Sequence, residues 1–495
     1  MIKTKYIMGA ALVALAFASC SEDQMDHINK DEQHSSISLV DGNYSITDAE
    51  VNTVYNILDG NYAWYVSSYT EQLFGTGNNQ LKNAELRNIN EVAGSTTFNN
   101  EWNNTYANLY NLKVIKEKCH GGVNNGASDL LGMAQALEAL NWGILTDLHG
   151  DVPCKDALGD QSTPTLTSQK DIYDNIFALL DSAQTNLAKG SKTVGAHDVI
   201  FNGNLDKWAG LVHALKARYL LHTYGTDKTP AHLNKVLTEA EAAVSAGFDG
   251  ANLDVFNGKT SDNSWSAYHW SRYYIGSSKT VDDLLTARKD PREPIYNFDG
   301  FGTEAGVGTP GNAKQAQSTN TLAYPAWLDN SASYLHLFSK SELYFIIAEV
   351  KARLGQDAKA DFETAVRAAM DDWGTAGGSE ISAADVDAYL KGIADLYAAN
   401  PLKEILTQKY LAQTRDEQLE TYNDIRRCDY IDGSYPVKMQ NPNNTSGSSN
   451  RWPLRLPYGD SDVTSNPNVA KAFGSGNDAG IYIYTNPVWW AGGNN

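Results

Sequence analysis

The sequence predicts a mainly α-helical fold assembled from helix pairs and interrupted by long loop-rich insertions. Two observations carry the helix pairs. Between Lys340 and Gly374, Leu343, Ile346, Ile347, Val350 and Leu354 recur at spacings of three and four, and after Gly355 a second stripe of Phe362, Val366, Ala369 and Met370 follows. Two helices joined by so short a link must fold back on each other, and such a pair cannot bury its apolar face without neighbours of the same kind. A third observation carries the insertions: from about 248 to 334 and again from 426 to the end, the helix period is lost among Gly, Asn, Ser, Trp and Tyr.

The 340–374 hairpin mixes large and small residues in the manner of one tetratricopeptide unit with a degenerate consensus; an ordinary helical hairpin in a bundle fits the same spacing equally well. Gly355 stops its first helix and Asp357 can cap the second. The preceding helices follow the same logic. One starts at Thr47 or Asp48 and runs to about Leu58. Thr97–Lys118 carries Trp102, Tyr106, Leu109 and Val114, and Asp129–Leu148 carries Leu130, Met133, Leu137, Leu140, Ile144 and Leu148. Ser168–Leu187, Leu205–Tyr224 and the alanine-rich Leu233–Ala246 continue the series, and Ser382–Ala398 and Pro401 to about Tyr422 close it. Ile481–Tyr484 reads as one short strand, and Asn441–Asn450 as a surface loop.

With 495 residues the chain is not limited in core size, and its formal net charge of −20 argues against nucleic acid or an anionic membrane surface as principal partner. Residues 1–20 read as an export signal: Lys3 and Lys5, an apolar run from Tyr6 to Ala18, then Ser19-Cys20. That run is too short for a permanent membrane span. The Ala-Ser-Cys end is similar to the processing box of bacterial lipoproteins, which implies a lipidated Cys20 after removal of residues 1–19. The acidic, polar stretch 20–43, with Glu22, Asp23 and Asp26, resembles the surface-export signal of Bacteroidetes lipoproteins and reads as a tether. The remaining cysteines, Cys119, Cys154 and Cys428, lack metal spacing and read as free thiols ahead of a Cys119–Cys154 bridge.

No nucleophile elbow, zinc-protease motif or glycine-rich phosphate loop occurs. Asp147, His149 and Asp151 have metal-ligand chemistry but no fourth ligand nearby, and the Asp- and Asn-rich loops offer oxygen ligands of the calcium kind without a motif. The 11 Trp and 27 Tyr residues are the more informative feature. Non-periodic stretches crowd Trp265, Trp270, Tyr273 and Tyr274 together, then Tyr324 and Trp327, and near the start Tyr62, Trp64, Tyr65 and Tyr69. A sugar ring needs a flat aromatic under its C–H face and amides or carboxylates around its hydroxyl rim, whereas a peptide needs backbone-directed polar groups and apolar hollows. The expected ligand contacts are therefore Trp265, Trp270, Tyr273, Tyr274, Trp327, Tyr324, Trp64 and Tyr65, with Asn78, Asn79, Asn257 and Asn263 for the hydroxyls. Each of these aromatics, taken singly, fits a core position as well.

Three stretches together resemble the SusD/RagB family of outer-membrane nutrient-binding lipoproteins, in its SusD-like branch. Leu140–Leu158 carries Trp142, Asp147, Gly150, Asp151, Pro153 and Ala157; Gly203–Trp208 is followed by Leu215, Ala217 and Arg218; Gln408-Lys409-Tyr410, Arg426-Arg427, Arg451, Leu456-Pro457-Tyr458 and Asn466 complete the match. Cys154 and Asp429 depart from the pattern. The resemblance implies a mainly α, tetratricopeptide-like helix-pair scaffold (about 44–247 and 335–425) with long loop-rich ligand-binding insertions (about 248–334 and 426–495), in one domain from 44 to 495. It further implies a lid over a SusC-like TonB-dependent transporter at the outer membrane, facing the cell exterior, that captures an oligosaccharide or an oligopeptide without catalysis. Read physically, the matched residues are mostly scaffold, and Arg426 and Arg427 fit buried carboxylates as well as a ligand. A helical-toroid glycoside hydrolase is the principal rival, with Asp147, Asp151, Asp262 and Glu304 as available carboxylates; a structural adhesin is another.

Overall fold

A computed structural model describes residues 40–75, 80–272, 275–299, 323–439 and 452–494. Helix α1 (Gly42–Val51) begins earlier than its apolar residues suggest, because the Asp41 carboxylate accepts from the Asn43 N–H at 2.9 Å and caps it. It continues as a π-helical stretch to Leu58, and α2 (Asn61–Tyr69) and strand β1 (Leu73–Gly75) follow. Next come α3 (Asn99–Gly121), α4 (Ser128–His149), strands β2 (Val152–Pro153) and β3 (Leu166–Thr167), α5 (Gln169–Leu187), α6 (Leu205–His222) and α7 (Pro230–Ser245). Ser168 and Asn204 cap α5 and α6, and Pro230 sits in the first turn of α7, where its missing N–H is harmless.

The span expected to lack helix instead holds strand β4 (Ala251–Leu253), α8 (Ser264–Arg272), strand β5 (Ile275–Ser277) and α9 (Lys279–Arg288). Strand β6 (Leu335–Phe338) leads into α10 (Lys340–Arg353) and α11 (Lys359–Ala376), the hairpin read from the sequence. Gly355 has φ +70° at its turn, and Asp357 Oδ1 accepts from the Lys359 N–H at 3.0 Å. After α12 (Ala383–Gly392), the single helix expected from Pro401 to Tyr422 is two, α13 (Pro401–Ala412) and α14 (Gln418–Asp432). The turn between them uses Asp416 and Glu417 to accept the backbone N–H groups of His336 and Ser339 at 3.0 and 2.8 Å. Ile481–Tyr484 is a 3-10 turn, not a strand.

Consecutive helices pack in series: α3 on α4, α4 on α5, α5 on α6, α6 on α7, α7 on α10, and α10 on both α11 and α13. The strands are two to four residues long and form antiparallel pairs, β1 with β5, β2 with β3 and β4 with β6, the first and last of which staple distant segments together. One apolar cluster draws residues from Ile46 to Ala491, and a smaller one lies among α10 to α13 around Phe345, Phe362, Met370 and Ile405. Gly143 on α4 permits close helix approach, since a Cβ there would sit 2.1 Å from Tyr219 Oη.

Buried ion pairs hold the helices in place. Arg218 on α6 binds Glu342 on α10 at 2.8 Å, Arg427 on α14 binds Glu349 on α10 at 2.6 and 2.8 Å, and Lys409 on α13 lies 2.7 Å from Asp424. His222 sits between Asp147 at 3.1 Å and Glu420 at 2.9 Å. Arg426 donates to the Asp147 carbonyl at 2.7 Å. Several residues that carry the family resemblance therefore serve the scaffold, and stripping one partner from such a pair strands a buried charge. Cys119, Cys154 and Cys428 are free thiols.

Candidate functional site

Two short helices far apart in sequence build the most ligand-like cleft among the described residues. Asp59 accepts from Trp265 Nε1 at 2.8 Å, which fastens α8 beside the start of α2. The β1–β5 pair, with Leu73 opposite Ser277, joins their other ends. This arrangement lays Tyr268 of α8 flat on Trp64 of α2, ring centroids 3.9 Å apart and planes inclined by 11°.

Tyr268 lines two adjoining chambers. One, about 500 Å³, is bordered by Tyr65, Gln80, Asn90, Glu91, Thr96, Thr97 and Asn100. The other, about 300 Å³, is bordered by Tyr55, Asn56, Trp64, Glu101, Ser264 and Ala267, while Asn61 and Ser271 border both. Such a mixture, one aromatic platform ringed by amides, hydroxyls and carboxyls, suits a polyhydroxylated ligand with an apolar face. Within it, Tyr65 donates to Glu91 Oε1 at 2.5 Å and Asn61 Nδ2 donates to Glu101 Oε1 at 2.6 Å. Burial pushes the Glu101 carboxyl up to about 7 and raises that of Glu91, while the Tyr65 hydroxyl is raised first by burial and then by Glu91.

The expected contact residues separate on inspection. Trp64 and Tyr65 border the cleft, although Tyr65 is 5% exposed. Trp270 is exposed on α8 and makes an edge contact with His269. Trp265, Tyr324 and Trp327 are buried in the core: Trp327 packs edge-on against Trp373, and Tyr324 donates to Asp329 at 3.1 Å. The space beside Trp265 and Trp327 is about 10 Å³, too small for a sugar ring. The expectation that the 265–274 cluster faces a ligand as a group is corrected for Trp265: residues five apart on a helix point about 140° apart, so Trp265 and Trp270 cannot share a face. Tyr273, Tyr274 and Cys20 lie outside the described residues, as do Asn78 and Asn79. Asn257 is consumed by its own turn, its Oδ1 accepting from Lys259 and Thr260, and Asn263 by a distant segment, its Nδ2 donating to the carbonyls of Asn330 and Ser333.

Tyr268, Asn61, Glu91 and Glu101 were missed. Tyr268 lies four residues from Ser264 and three from Ser271, so a helical reading of 264–272 places these three on one face. For Glu91 and Glu101 no local signal exists. Asp147, His149 and Asp151 do not converge as ligands: Asp147 accepts from Tyr173 and from Trp490 Nε1, His149 Nε2 meets the Tyr62 hydroxyl, and Asp151 accepts from the Gln169 N–H. Another cavity, about 470 Å³ between β6 and α11, is walled by Asp249, Lys340, Arg367, Asp371 and Asp372 and has no stacked aromatic pair.

A family model described as "Starch-binding associating with outer membrane", of SusD-like type, matches residues 33–459. A SusD/RagB family protein from Bacteroides thetaiotaomicron is 31% identical and superposes with a TM-score of 0.83 over 92% of this chain and 100% of its own. A chitin-binding protein is 22% identical, TM-score 0.71, over 91% of this chain and 99% of its own. A SusD homolog from Bacteroides fragilis is 18% identical, TM-score 0.72, over 91% and 100%. No curated protein matches the chain. Family model and fold agree along nearly the whole length, and the chain belongs to the SusD/RagB-like family.

Proposed function

We propose that the protein is a lipid-anchored surface receptor that captures an oligosaccharide and closes over a SusC-like TonB-dependent transporter, which imports it. Membership in a family of outer-membrane, Sus-type nutrient-binding proteins supports the setting. In this reading Cys20 carries the lipid, residues 20–43 are the tether, and the helix pairs form a tetratricopeptide-like scaffold. The observation that supports the ligand class most directly is the Trp64–Tyr268 stack at the meeting of two polar chambers. One sugar unit lies on the exposed face of that platform, its hydroxyls reaching Asn61, Asn90, Asn100, Thr96, Thr97 and Ser271. Capture needs no bond-breaking step. Transport and its energy belong to the barrel.

Calorimetry of the mature chain with Cys20→Ser tests this against two pools, neutral oligosaccharides and short peptides, with products assayed in the same tubes. Heat from the sugar pool without cleavage is expected, and Trp64→Ala or Tyr268→Ala should weaken it by about tenfold, the worth of one aromatic contact of ~1.4 kcal/mol. Heat from the peptide pool alone reassigns the receptor to oligopeptides. Cleavage of either pool overturns the receptor reading and returns the question to the carboxyls.

A further inference from the structure

The cleft divides along α8. Ser264, Ala267, Tyr268 and Ser271 fall at i, i+3, i+4 and i+7, so they share one face of that helix and span about 10 Å of its axis. Ser264 and Ala267 border only the 300 Å³ chamber, whereas Tyr268 and Ser271 border both. Helix α2 divides in the same way: Trp64 borders the smaller chamber, Tyr65 the larger, and Asn61, one turn before them, borders both. Asn61, Tyr268 and Ser271 thus form a saddle between two spaces, each large enough to hold a small ligand. A pyranose ring is close in size to the aromatic ring it stacks on, so a single sugar resting in one chamber leaves the other to water.

The two chambers differ in what they offer. Gln80, Asn90 and Asn100 border the larger one and are all exposed. A side-chain amide both donates and accepts, and one that already faces water exchanges that water for a ligand hydroxyl without a burial penalty. The smaller chamber sets Tyr55, Trp64 and Ala267 beside Tyr268, apolar surfaces for the C–H face of a ring. Tyr55 and Trp64 are half-buried and Ala267 is exposed, so these walls are reachable from solvent. Two weak contacts joined by one covalent linkage bind as a unit, because the second forms at the effective concentration that the short link sets. The gain over either contact alone is on the order of 10²–10⁴-fold.

We propose, resting on the reading of this cleft as the glycan site, that the two chambers are consecutive subsites and that the recognised unit is a two-sugar segment. One ring lies against Tyr55 and Trp64, the next lies among the amides of Gln80, Asn90 and Asn100, and the linkage between them crosses Asn61, Tyr268 and Ser271. The receptor therefore takes oligomers in preference to the single sugars released from them.

The test is calorimetry of the mature Cys20→Ser chain with the neutral oligosaccharide pool separated into fractions of one, two, three and four units, single units being read by displacement of the two-unit fraction. Two units should bind at least about tenfold tighter than one, and a third should add less than that. Ala267→Trp fills the smaller chamber from an exposed position, and Asn90→Ala with Asn100→Ala strips the larger one. Either change should remove the gain from one unit to two. Single-unit binding should survive at least one of them within about threefold, because the other chamber is intact. Circular dichroism and Tm confirm the fold of both variants. A two-unit fraction no tighter than one unit, or a third unit that adds as much as the second, overturns the inference and leaves the glycan reading standing. Retention of the gain in either variant, or loss of single-unit binding in both, also overturns it. Heat from no fraction overturns both.

Discussion

Trp265 and Trp270 lie five residues apart on α8, yet one is 2% exposed and the other 44%. Composition marks both as candidate ligand contacts, but burial of Trp265 follows from a partner 206 positions away, Asp59, which no local pattern reveals. Trp265→Ala should therefore lower Tm sharply, by the equivalent of about 3–5 kcal/mol, because it opens a cavity and strands the Asp59 carboxyl. Trp270→Ala should leave stability within about 0.5 kcal/mol. Thermal unfolding of the two variants side by side checks this, and equal Tm losses would contradict the placement of Trp270 at the surface. The same logic explains why Trp64 was legible and Tyr268 was not singled out. An aromatic pair becomes a platform only when two helices bring the rings to 3.9 Å.

Helices with an uninterrupted apolar stripe, such as α4 to α6 and the α10–α11 hairpin, are found within two or three residues of their predicted ends. Caps such as Ser168 and Asn204 and stops such as Gly355 are local, so they can be read locally. The break between α13 and α14 escapes that reading. Its residues, Arg415 to Glu417, adopt a turn to satisfy His336 and Ser339 on another segment. At this scale Gly143 offers a direct test. A methyl there would meet Tyr219 Oη at 2.1 Å and its Cζ at 2.4 Å. Gly143→Ala should thus destabilise by about 1–3 kcal/mol despite alanine's better helix propensity. Chemical denaturation measures it, and a stabilised variant would mean that α4 and α6 are not held this closely.

For the whole molecule, the buried titratable groups divide by sign: His149 and His269, lowered by burial to about 3 and about 4, gain stability only up to pH about 6.5, and above it His336, His222 and Glu417 set the trend. Burial lowers the His336 and His222 imidazoles, but the carboxylates of Asp372 and Asp416 around the first, and of Glu420 and Asp147 around the second, outweigh it and lift each to about 9. A histidine raised in the folded state contributes stability that is full below its unfolded value near 6.5 and is lost as pH rises through about 9. Glu417 is lifted to about 8 by burial and then by Glu342, so it too favours the folded state less as pH rises past the ordinary carboxyl range. Tm should consequently fall between pH 6 and pH 9. His336→Gln should flatten that fall, and a Tm that rises toward pH 9 would contradict the network. Fractionation tests the anchor: the chain with residues 1–19 deleted and Cys20→Ser should leave the membrane fraction, and its retention there would defeat the lipid-anchor proposal. The sequence alone determined the helical class, the paired scaffold and the family resemblance, because apolar period, caps and short motifs act over a few residues. Only the tertiary structure decided which aromatics face a cleft and which fill the core, and that Glu91 and Glu101 come to border that cleft. Those outcomes depend on contacts between segments hundreds of residues apart, for which the chain carries no local mark.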